Sequence, residues 1–168
     1  MNLRSRYTTL GFLLAATLPA FAFADTSAPH FAKIFGDHAV LQRDEAVRVW
    51  GTARPNAALT LSLNEKSVTV TTGADGKWQT NLPAQSAGGP YTLSISDGTA
   101  TTTLTDILIG DVYLCSGQSN MEFPARLATG AWGEIGASAN ANLRFVTIDK
   151  DSAAAPRDDL KTTPAWKV

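Results

Sequence analysis

One cysteine, two histidines and few charges set the first limits on this 168-residue chain. With Cys115 alone, no intrachain disulfide can form. His30 and His38 are the only histidines, and no pair of histidine, cysteine or carboxylate side chains shows metal-ligand spacing. No metal site is expected, and no cofactor is implied. Charged residues make up only 17% of the chain, and 14 basic side chains stand against 15 acidic ones. No basic face follows from that balance, which excludes nucleic acid and anionic membrane surfaces as expected partners. A long hydrophobic run is missing too. Leu10 to Leu18 is the apolar stretch nearest to one, and it is too short to span a bilayer.

What that stretch does resemble is an export signal. Arg4 and Arg6 give a positive start, the apolar core follows, and Ala22-Phe23-Ala24 supplies a small-x-small cleavage pattern before Asp25. Residues 1–24 are therefore expected to be a signal peptide. The mature protein is expected to be exported, periplasmic or extracellular, with no membrane attachment once the signal is removed. With 44% hydrophobic residues, the remainder has the composition of an ordinary globular protein.

From Phe31 to Leu104 the pattern is period two. Val47 and Val49 alternate with Arg48 and Trp50, Leu59, Leu61 and Leu63 with Thr60 and Ser62, and Tyr91, Leu93 and Ile95 with Thr92 and Ser94. Such alternation marks antiparallel strands with one face turned inward. Turn residues separate the runs at Arg54-Pro55-Asn56, Asn64-Glu65, Asp75-Gly76, Gly88-Gly89-Pro90 and Asp97-Gly98. Turns about ten residues apart predict a small β-sandwich over residues 31–104. Trp50 and Trp78 offer themselves as sugar-stacking platforms, but their place within alternating strands favours packing roles. His38 is expected to make a local structural hydrogen bond.

The stretch Ile107 to Glu122 has a different character. Ile107 to Ile109 and Val112 to Cys115 form a nearly continuous apolar run, the pattern of a strand buried on both faces in a parallel sheet. In that strand Cys115 reads as a small hydrophobe and not as a reactive thiol. The run stops at Ser116-Gly117-Gln118-Ser119-Asn120, residues suited to a tight turn at the carboxyl end of a strand. A serine there has an exposed hydroxyl, and Gly117 leaves room for a substrate to approach. The Gly-x-Ser-x-Gly elbow is incomplete, because Met121 occupies its last position.

After Phe123-Pro124, Leu127 to Asn140 predicts a short helix weakened by three glycines, and Leu143 to Ile148 a further strand. Residues 105–168 are thus predicted to form the first βαβ portion of an α/β domain.

Asp111 to Glu122, and within it Cys-Ser-Gly-Gln-Ser-Asn-Met-Glu at Cys115 to Glu122, resembles the nucleophile block of sialate O-acetylesterases, carbohydrate esterases of the SGNH-hydrolase type. Phe35 to Arg43, Val49-Trp50-Gly51, Asp75 to Trp78 and Gly88 to Tyr91 resemble the β-rich module that precedes their catalytic domain. The resemblance implies hydrolysis of O-acetyl esters on sialic acid or a related sugar, with Ser119 as nucleophile. It implies an oxyanion site at backbone N–H groups near Ser119 and Gly117, with Gln118 and Asn120 orienting oxygens of the acyl group or sugar or shaping the turn. Glu122 reads as a structural carboxylate. The family's Asp and His fall beyond the residues present, so the chain is expected to be an incomplete N-terminal piece, inactive alone. Other readings are an acetylxylan-type esterase and a non-catalytic carbohydrate-binding β-sandwich.

Overall fold

The computed structural model describes residues 28–168. The expected signal peptide lies outside them. Eight strands form first: β1 (His30–Phe31), β2 (Val40–Gln42), β3 (Val47–Thr52), β4 (Ala58–Leu63), β5 (Lys66–Thr71), β6 (Lys77–Leu82), β7 (Gly88–Ser96) and β8 (Thr101–Gly110). One sheet has the order β1-β3-β6 and the other β2-β8-β7-β4-β5. Pairing is antiparallel except between β2 and β8, which run parallel with Val40 opposite Leu108 and Gln42 opposite Gly110.

The expected turns supply the reversals. Leu63 pairs with Lys66, so Asn64-Glu65 alone links β4 and β5, with Asn64 at φ 57. Asparagine tolerates that left-handed backbone because its short side chain bonds locally. Gly76, at φ 75, lies so near Ala53 that a Cβ would come within 2.7 Å of the Ala53 carbonyl oxygen. Glycine is required there by both backbone and space.

Alternation along the strands decides what is buried. Val49, Leu59, Leu61, Leu63, Leu82, Leu93, Ile95 and Ile107 are fully enclosed, and both sheets contribute to one hydrophobic core. Each such side chain contributes roughly 1.5–3 kcal/mol by leaving water. Trp78 belongs to this core at 3% exposure, so it is a packing residue. Val68 and Val70 on β5 are only partly buried, because β5 is the edge of its sheet.

Beyond Gly110 the structure departs from the expected βαβ unit. Val112 to Cys115 form no strand; Leu114 is 94% exposed and Cys115 is exposed as well. The physical reason is pairing: among the described residues no strand lies beside this segment to satisfy its backbone. A short helix, α1 (Ala131–Ala137), does form within the predicted stretch, behind Gly130 at φ 76. Of the next predicted strand only β9 (Phe145–Val146) appears, and it pairs antiparallel with β10 (Trp166–Lys167). The two segments meant to flank a helix as parallel neighbours are therefore not paired with each other. No helix among the described residues is long and apolar enough to cross a membrane.

The segment after α1 folds back onto the strands. Arg144, with its side chain only 5% exposed, donates to the His38 carbonyl (3.2 Å), the Asp106 carbonyl and the Asp106 carboxylate (2.8 Å). Further along, the Lys33 N–H donates to Asp159 (2.9 Å) and the Trp166 indole to the Ile34 carbonyl (2.9 Å).

Candidate active site

β8 delivers the chain to the motif. Its last backbone partner is Arg43, whose N–H donates to the Gly110 carbonyl at 2.9 Å. Past that point the side chains of β2 and its flank take over. The Gln42 side-chain oxygen accepts from the Val112 N–H at 2.9 Å, and the Arg43 Nε donates to Asp111 at 2.9 Å. The chain then runs exposed to Gln118, which adopts extended backbone, and enters a 3₁₀ turn over Ser119–Glu122.

Gly117, Gln118, Ser119 and Asn120 are all exposed and come together on this turn. The Met121 N–H donates to the Gln118 carbonyl (2.9 Å) and the Phe123 N–H to the Asn120 carbonyl (3.3 Å). Those bonds close the turn, and they remove the Met121 N–H from the donors free to meet an oxyanion. A Cβ on Gly117 would lie 2.8 Å from Met121 Cγ, so the absent side chain makes room for Met121 itself. At the far end Glu122 forms an ion pair with Lys150.

Ser119 makes no side-chain hydrogen bond among the described residues. His30 sits on β1, paired with Thr52. The Nδ1 of His38 lies 2.6 Å from an Asp106 carboxylate oxygen, so the expected structural bond is made, but to a partner 68 residues away. The His38 hydrogen bond, and next the Arg144 guanidinium, hold the Asp106 carboxyl below the usual carboxylate range. Both His38 (φ 68) and Asp106 (φ 56) have left-handed backbone, a conformation few non-glycine residues adopt. Nothing in the sequence pairs these three residues: the parallel run of β2 beside β8 brings His38 to Asp106, and the fold-back of the segment after α1 brings Arg144. Trp50, half-buried, packs edge-on against Phe35 with Arg48 over its ring and donates to the Asp158 carbonyl (3.3 Å). It borders a cleft of about 740 Å³ together with Ile34, Ile148 and Arg157, and Ser119 does not line it.

The chain as a whole has relatives among known proteins. The chain is 30% identical over 165 residues to the sialate O-acetylesterases of Pongo abelii and Homo sapiens, covering 89% of this chain in each. The chain is a relative of the sialate O-acetylesterases. It spans 32% of the length of those two relatives. The sialate O-acetylesterase of Rattus norvegicus is 31% identical over 142 residues, 77% of this chain and 26% of its own length. Among solved structures, a carbohydrate acetylesterase from Xanthomonas citri superposes with a TM-score of 0.78 at 38% identity, over 83% of this chain and 32% of that one. No family model matches the chain.

Proposed function

We propose that this polypeptide carries the nucleophile of a carbohydrate O-acetylesterase, with Ser119 attacking the acetyl carbonyl of an acetylated sugar. The observation that carries the reading is the placement of Ser119 on an exposed turn, in a chain 38% identical to a carbohydrate acetylesterase. The names of the mammalian relatives point to sialic acid as the sugar. In this reading residues 31–104 are a β-sandwich module, residues 105–168 begin the catalytic domain, and residues 1–24 direct export.

The chemistry follows from the serine. Its Oγ bonds to the carbonyl carbon while a base takes its proton. The tetrahedral oxyanion collapses, the sugar hydroxyl leaves with a proton, and water releases acetate from the acetyl-serine. Gly117 and the backbone N–H groups beside Ser119 would face the oxyanion, with Gln118 and Asn120 orienting the ester. Of the two histidines, His38 is bonded to Asp106, and neither bonds Ser119 among the described residues.

The test is acetate release from O-acetylated sialic acid and from a chromogenic acetyl ester. The 168-residue chain alone is expected to show no turnover above its Ser119→Ala variant. A chimera in which residues 28–168 replace the superposed third of the Xanthomonas citri acetylesterase is expected to hydrolyse both. Ser119→Ala in the chimera is expected to lose about 10³-fold or more. Full turnover by the Ser119→Ala chimera would refute the assignment.

A further inference from the structure

The loop that bears Ser119 has almost nothing of its own to hold it. Residues 111–118 are exposed and lie in no strand or helix. Among the described residues, the only side-chain hydrogen bonds reaching them are those of Gln42 to Val112 and Arg43 to Asp111. We propose that Gln42 and Arg43 are positioning residues for the nucleophile, fixing the direction in which the chain leaves β8 toward Ser119.

The proposal rests on reading Ser119 as the nucleophile, and its geometry is that of a ladder continued by side chains. β2 and β8 pair in parallel as far as Gln42 and Gly110, and the Arg43 N–H supplies the last backbone rung. The next donor, the Val112 N–H, meets the Gln42 side-chain oxygen where a backbone carbonyl would stand had β2 continued. The Gln42 amide nitrogen donates in turn to the Arg43 carbonyl (3.2 Å), which fixes the orientation of the side chain. Arg43 secures the residue before Val112 through its bond to Asp111. Both members of that ion pair are close to half exposed, and exposed pairs contribute little to global stability. What the contacts supply is direction. Residues 113–118 have no further side-chain hydrogen bond among the described residues, so the loop takes its direction from these two contacts. A reacting hydroxyl on such a loop depends on them, because small displacements from attack geometry lower the rate steeply.

Two near-isosteric variants separate positioning from mere structure: Gln42→Met keeps the length and removes the acceptor, and Gln42→Glu keeps an acceptor oxygen. In the 168-residue chain, hydrogen exchange of the Val112 amide, read by NMR, is expected to quicken about 10-fold in Gln42→Met and to stay near wild type in Gln42→Glu. In the chimera, Gln42→Met is expected to lower kcat about 10- to 100-fold with KM within about twofold, and Gln42→Glu to recover most of it. Wild-type exchange in Gln42→Met overturns the proposal whatever the chimera does. So does wild-type kcat in Gln42→Met when Ser119→Ala is inactive, and that outcome leaves the nucleophile standing. Turnover that survives Ser119→Ala removes the nucleophile reading instead. If Gln42→Met does not fold, Arg43→Leu at the exposed neighbouring position is measured in the same two ways, with the same expectations.

Discussion

Leu61 and Leu114 are the same residue type in opposite surroundings, and substituting each by alanine tests the architecture. Leu61 on β4 is 0% exposed, facing Ile95 on β7 on one side and Val68 on β5 on the other. Its truncation removes apolar atoms from water-free packing and leaves a void the two-sheet core cannot fully close. A leucine truncated in such a setting costs about 3 kcal/mol, within a usual spread of roughly 2–5 kcal/mol. With a urea slope of about 2 kcal/mol per molar, typical of small proteins, the unfolding midpoint should fall by about 1.5 M. Leu114 is 94% exposed, so its truncation should change stability by no more than about 0.5 kcal/mol, or about 0.25 M. Urea unfolding followed by tryptophan fluorescence reads both variants, since buried Trp78 reports on the core itself. A midpoint loss for Leu114→Ala as large as that for Leu61→Ala would refute the placement of residues 112–115 in solvent. It would restore the buried strand that their apolar pattern suggests.

Two further outcomes follow from charged groups. Asp97 accepts hydrogen bonds from the N–H groups of Ala100 and Thr99 and from Arg54, which hold its carboxyl at about 2. A carboxyl depressed in the folded state stabilises above its unfolded pKa, near 4, and loses that contribution as pH falls toward the folded value. Urea midpoints should therefore fall between pH 4 and pH 2, and Asp97→Asn should show a shallower fall; identical slopes would count against the assignment. Arg144→Met should release the segment after α1 from His38 and Asp106 while leaving the strands intact. Trypsin should then cut at Lys150 and Arg157 faster than in wild type, and an unchanged cleavage rate would show that Arg144 is not the anchor.

The strands were readable because alternation is local. Leu59, Leu61 and Leu63 declare an inward face without reference to any partner, and Asn64-Glu65 declares the reversal between β4 and β5. The apolar run Val112 to Cys115 misleads for the opposite reason. Apolar residues state that a segment could be covered, and whether anything covers it depends on neighbours the segment does not encode. The serine turn was legible as a turn, and its exposure agrees with what Ser116 to Asn120 suggest. The tethers around it were not legible. Gln42 meets Val112, and His38 meets Asp106, only because a three-residue strand lies parallel to β8. No periodicity announces a contact across about 70 residues.

That parallel neighbour bears on how such proteins can be taken apart and rejoined. β8 runs from Thr101 through Leu104 and an irregularity at Asp106 to Gly110, so one strand both joins β2 to the five-stranded sheet and leads into the serine loop. A gene crossover at residue 104 would split a strand and draw Leu108 to Gly110, which β2 pairs with, from a different parent than β2 itself. Exchange of the two parts between lineages is thereby discouraged, and the strand-rich half and the serine loop should be inherited as a single unit.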